Sequence, residues 1–167
     1  MTDVLLRGLR QPEYLHVLIN PLPVYGLGAG LVALIVALFL RNRAAHVTAL
    51  VIILISSAAA FPVTRLGHQA YDRVLSMSDD AGRAWLDEHE ERADDLVWFF
   101  YALALLCAAA ILLPKKWPRL AVPLTITTLL LSIFCLGAGG YIAYAGGKIR
   151  HREFRNTPPP PENTPVQ

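Results

Sequence analysis

Residues 96–114 read LVWFFYALALLCAAAILLP, 19 positions without an Asp, Glu, Lys or Arg. At about 1.5 Å of rise per residue, a helix of this length nearly reaches across a hydrocarbon core of about 30 Å. Three more stretches are equally free of charge, at 14–40, 44–64 and 120–147. The expected fold class is therefore all-α: a four-span antiparallel transmembrane helix bundle, with spans at about 21–40, 46–64, 96–113 and 120–145.

The charges sort themselves around the spans. Every one of the 13 acidic residues falls on one side of the bilayer, together with His16, His68, His89 and His151. The two turns on the opposite side carry Arg41, Arg43, Lys115, Lys116 and Arg119 and no acid. Basic, acid-free turns belong in the cytoplasm, so both termini are expected outside a bacterial inner (cell) membrane; Lys148, Arg150, Arg152 and Arg155 after span four argue the other way. No basic stripe is interleaved with aromatic residues, so nucleic acid is not an expected partner. The expected partners are the lipid bilayer itself, a membrane or periplasmic redox protein, and a second copy of the chain.

Between spans two and three the helical pattern continues past the apolar runs. Leu66, Ala70 or Tyr71 and Val74 recur about a turn apart, and Ser78-Asp79-Asp80 supplies an N-cap with an acidic first turn. Residues 65–95 thus read as a helical hairpin standing off the membrane, with Pro62 as a kink. Asn20 and Pro21 read as the N-cap and first-turn proline of span one. Residues 1–156 form one membrane domain, and 157–167, with Pro at 158–161 and at 165, form a disordered tail unable to build a core. Gly26 and Gly30 in span one, and Gly139, Ala143 and Gly147 in span four, present small faces for close helix packing.

The chemistry is narrowed mainly by exclusion. An ion-coupled carrier needs an ionisable group at depth, and the four runs contain no Asp, Glu, Lys or Arg and carry His16 and His46 only near their ends. Cys107 and Cys135 lie inside spans at different depths and form no paired-cysteine motif, which argues against a thiol oxidoreductase. No histidine lies at mid-membrane on facing spans, so a haem at the bilayer centre of one chain is excluded. At the outer edge the four histidines come from four helices. Together, or as the smaller set His16, His89 and His68, they form a candidate site for haem b or for a transition metal. The alternative is a structural or pH-responsive polar cluster. Trp98, Phe99, Phe100 and Tyr101 read as an aromatic belt, or else as a platform for a quinone ring.

Several pieces of the chain resemble a widespread family of bacterial four-helix membrane proteins classed as a domain of unknown function. They are His16-Val-Leu-Ile-Asn20-Pro-Leu-Pro23-Val24 before span one, Gly67-His-Gln-Ala70-Tyr-Asp-Arg-Val74 after span two, Glu88-His89-Glu90-Glu91-Arg-Ala93 before span three, and Gly146-Gly147-Lys148 after span four. Family members usually carry an acid where this chain has His68, and often a histidine near Leu22 or Tyr25. The resemblance implies a four-span fold with polar pieces gathered on one face, His16 and His89 as the core of a polar site and, in some relatives, association with Rieske-type electron-transfer proteins. Nothing in the chain composes a catalytic constellation. The expected role is that of a membrane-anchored interaction or accessory subunit of a redox or envelope assembly; the alternative is an electron-transfer protein that binds haem or metal through histidines.

Overall fold

The structure, a computed structural model, describes residues 6 and 8–161. It is all-α, with four helices long and apolar enough to cross a membrane. A short helix α1 (Pro12–Ile19) passes through Asn20 and Pro21 and a single π-turn (Leu22–Gly26) into α2 (Leu27–Leu40). Then come α3 (Arg43–Ala58), α4 (Ala60–Ser76), α5 (Asp80–Leu112) and α6 (Ala121–Arg150). Each span packs on the next one in sequence and α2 closes the ring against α6. That arrangement follows from the short turns at 41–42 and 113–120, which leave no length for a crossover.

One local expectation is corrected. Asn20 does not cap span one: its backbone is right-handed helical and its N–H donates to the His16 carbonyl, so α1 and α2 run on as one rod. The turn passes through a π geometry where Pro23 removes an N–H from the ladder. Span two runs on past the bilayer as expected, and the irregularity between α3 and α4 falls at Ala59, in the turn that precedes Pro62, because a proline disrupts the turn on its N-terminal side.

The hairpin expected at 65–95 is present, built from the end of α4 and the start of α5. Asp79 caps α5 by accepting from the Gly82 N–H at 2.9 Å. The chain beyond α6 folds back onto this turn. Arg155 donates to the Lys148 and Ile149 carbonyls, each at 2.8 Å, and to Asp79 at 2.9 Å, while Arg152 reaches the same carboxylate at 3.0 Å. One guanidinium therefore satisfies final carbonyls of α6 and ties them to the α4–α5 turn. The hydrogen bond from Arg155, seconded by the Gly82 N–H, holds the Asp79 carboxyl well below its usual range, at about 2. Lys148, one of the basic residues that follow span four, is fully buried, with its ammonium 4.0 Å over the Trp85 ring and 4.1 Å over Tyr144, and donates to Thr157 at 2.8 Å. Thr157 thus begins the tail but is held by the bundle; residues 162–167 lie outside the described part.

The bundle interior is a layer of Leu27, Leu34, Leu50, Ile53, Phe100, Leu103, Cys107 and Cys135, with both cysteines free. Close approach happens where small residues meet large ones. A Cβ on Gly30 would lie 2.7 Å from Ile53 Cγ1, one on Gly139 would lie 2.9 Å from Val24 Cγ2, and one on Gly26 would collide with the Ser56 hydroxyl. The rest of the proposed small face on span four is not a packing face. Ala143 is exposed, and a Cβ on Gly147 would meet only Phe154, at an ordinary 3.6 Å. Steps of four overshoot a turn of 3.6 residues, so the seam drifts off that row and returns at Gly146. Gly139→Leu is therefore expected to lower stability in detergent by about 1–3 kcal/mol, the usual cost of overpacking. Leu130→Ala, at a lipid-facing position 61% exposed, should cost less although it truncates a large apolar side chain. Equal melting temperatures for the two variants would remove Gly139 from the packing seam.

Candidate paired-histidine site

Of the four outer histidines, the fold brings two together. His16 on α1 and His89 on α5 stand with ring centroids 6.4 Å apart and ring planes crossing at 86°. His68 is held elsewhere, its Nε2 2.9 Å from Asp94, and His151 lies 2.8 Å from Glu153 at the end of α6. Among the described residues no three His, Cys, Asp or Glu side chains converge on one point. The larger ligand set of His16, His68, His89 and His151 is accordingly not assembled: those rings sit on helix faces that the hairpin turns apart. His46, on the opposite side, lies 3.3 Å from the Thr125 hydroxyl.

Both members of the pair are seated in the same way. His16 Nδ1 is 2.9 Å from the Val63 carbonyl of α4, and His89 Nδ1 is 3.0 Å from the Ile142 carbonyl of α6. Each of these carbonyls belongs to a helix, where it normally serves the N–H four residues on. Its second lone pair is usually covered, because every Cα–Cβ bond leans toward the helix N-terminus and the side chain at i+4 lies over carbonyl i. At both places residue i+4 is glycine. Gly67 follows Val63 and Gly146 follows Ile142, and a Cβ there would lie 3.2 Å from His16 Cε1 and 3.0 Å from His89 Cε1. The glycines expose the carbonyls, and the rings lie on them.

The consequence is a defined tautomer. A carbonyl only accepts, so Nδ1 of each ring carries the proton and Nε2 keeps a free lone pair. The two halves of the chain seat their rings alike. In each half of the chain a histidine ahead of one span rests on a carbonyl and a glycine near the end of the next span. Around it, Arg92 donates to Glu88 at 2.7 Å and to the Tyr141 carbonyl at 2.9 Å, with its guanidinium 3.7 Å over the Tyr141 ring. Glu13 and Arg73 tie α1 to α4 at 2.8 Å. These contacts fix α1 on α4 and α5 on α6, so the ring separation is set by the bundle rather than by two loose side chains.

Sequence reasoning singled out His16 and His89 but passed over the glycines beneath them. Gly67 directly precedes His68, which drew attention to itself, and Gly146 was one of several in a glycine-rich run. The readable signal was a glycine near the outer end of each even-numbered span. No family model, curated protein or solved structure matches the chain. What the fold and the site define is a class: a four-helix membrane bundle with a seated pair of neutral imidazoles at one edge.

Proposed function

We propose that this protein is a membrane electron carrier that holds a haem through His16 and His89. The observation that carries the reading is the pair itself. Two imidazoles on opposite faces of one metal, with metal–nitrogen bonds of about 2.0–2.1 Å and the ring radius added on each side, have centroids about 6 Å apart. The separation in this structure is 6.4 Å. A bare metal ion needs more protein ligands than two, whereas a porphyrin brings four nitrogens and leaves two axial places. Metal-bound histidines characteristically donate their other ring N–H to a carbonyl or carboxylate, which fixes the ring and raises its basicity. Both rings do so here. The protein's own contribution is to hold two Nε2 lone pairs in place and to keep their orientation fixed; the haem supplies one-electron chemistry. The seating of both rings on bared helix carbonyls supports the haem reading over that of an interaction anchor.

The test is direct. Protein purified from membranes of haem-sufficient cells should carry about one haem per chain and show a low-spin spectrum that shifts on reduction. Crossed imidazole planes leave two iron d orbitals nearly degenerate, so the oxidised form should give a strongly anisotropic low-spin EPR signal instead of the rhombic signal of parallel rings. A colourless preparation that takes up no added hemin would end the proposal.

The acid-free turns favour a cytoplasmic side for 41–42 and 113–120 and an outward-facing haem edge. With Cys107 and Cys135 replaced, Ser78→Cys should react with an impermeant thiol reagent in intact cells. Reaction only after lysis would invert the orientation.

A further inference from the structure

At the end of the bundle opposite the histidine pair, the turn at 113–120 and the start of α3 form two open recesses. The larger, of about 580 Å³, is lined by Lys116, Trp117, Pro118 and Arg119. The smaller, of about 210 Å³, is lined by Arg43 and Lys115 and shares Pro118 with the first. We propose that the two recesses together hold the headgroup of a phospholipid with two phosphates, of the diphosphatidylglycerol kind, one phosphate to each recess.

Charge selects an anion. Each recess presents two cations, and residues 41–46 and 113–120 contain no Asp or Glu to offset them. Among the described residues none of Arg43, Lys115, Lys116 and Arg119 makes an ion pair. Two of the four are held in place: Arg43 donates to the Ile111 carbonyl at 3.3 Å, and the Lys116 ammonium lies 5.0 Å over the Trp117 ring. The first turn of α6, whose Ala121 lines the smaller recess, has neither an acid nor a side-chain cap, so the helix dipole adds to the positive field.

The surroundings select a lipid as the bearer of that anion. The recesses lie where the charge-free runs of spans three and four end and begin, and Leu112 and Val122 just beyond them are 57% and 67% exposed. Acyl chains cover such a surface, whereas a free phosphate has no use for it. Basic pockets at the ends of spanning helices suit lipid phosphates, and a half-exposed tryptophan belongs at headgroup level. Orienting the chain in the membrane requires basic turns, but it does not require their cations in pairs around two adjoining recesses. A headgroup with one phosphate would leave one pair unmatched. The site stands apart from the histidine pair and does not depend on whether haem is held there.

The test is native mass spectrometry of the intact, delipidated protein, titrated in detergent with one lipid at a time. One diphosphatidylglycerol should bind per chain, at least about fivefold more tightly than phosphatidylglycerol at equal phosphate concentration, and phosphatidylcholine should bind more weakly still. A cation at a membrane surface contributes roughly a fivefold attraction, so Lys115→Gln/Arg119→Gln, which removes one cation from each recess, should weaken binding about twentyfold. Arg10→Gln/Arg65→Gln removes the same charge from exposed positions at the other end of the bundle and should leave binding unchanged. Arg43→Gln/Lys116→Gln carries the test should the first variant fail to fold, as judged by circular dichroism. Equal affinity for phosphatidylglycerol, or equal loss in the variants at the two ends, would reduce the recesses to general surface charge and overturn the proposal. Displacement of the bound lipid by millimolar pyrophosphate would assign them to a free polyphosphate and overturn it as well.

Discussion

Purified His89→Ala, and separately His16→Ala, should lose the low-spin spectrum and retain haem at less than a tenth of the wild-type ratio. Each substitution removes a ring nitrogen that would hold the proposed haem and leaves the carbonyl beneath it with no ring N–H. Removing only an outer-shell partner of a metal ligand costs about 10–100-fold in affinity, so loss of the ligand itself should exceed about 100-fold. His68→Ala and His151→Ala serve as controls, because those rings are engaged by Asp94 and Glu153 and do not meet the pair. The measurement is the haem-to-protein ratio by pyridine haemochrome, with the optical spectrum of whatever remains. A wild-type spectrum in both His16→Ala and His89→Ala would remove the pair from any role in binding.

The second large effect is expected away from any ligand, at Gly146→Val. A Cβ at that position already lies 3.0 Å from both Nδ1 and Cε1 of His89, and two further methyl groups leave the ring no room. The ring must leave the Ile142 carbonyl, and a ring N–H stranded in a half-buried site costs about 1–3 kcal/mol. The variant should melt earlier and lose the low-spin signature together. Gly137→Val, on the same helix, places its Cβ where nothing lies within 4 Å, and should change neither. Two glycines of one helix thus separate a general intolerance of valine in α6 from a specific seat for His89. Equal behaviour of the two variants would mean that the glycine beneath the ring is incidental.

The four spans were legible in the chain because their cause is local: a long run without charge has one way to be satisfied in lipid. The hairpin and its cap at Asp79 were legible for the same reason, since periodicity and capping operate within a few residues. The packing of span four was only half legible. Gly139 was found, but the row from Gly139 through Ala143 to Gly147 was drawn with a straight step of four, and the real contact surface winds back to Gly146. The burial of Lys148 was not legible, because Trp85, which closes over it with Tyr144, comes from a helix 63 positions earlier in the chain.

The sequence by itself determined that this is a four-span helical membrane protein with four of its five histidines and its acids gathered at one edge, since charge and length decide where each segment lies relative to lipid. Only the tertiary structure decided which histidines meet. His16 and His89 are 73 residues apart, and no local rule relates them. They come together because α1 rests on α4 and α5 rests on α6, and because Gly67 and Gly146 each bare a helix carbonyl that a side chain would otherwise cover.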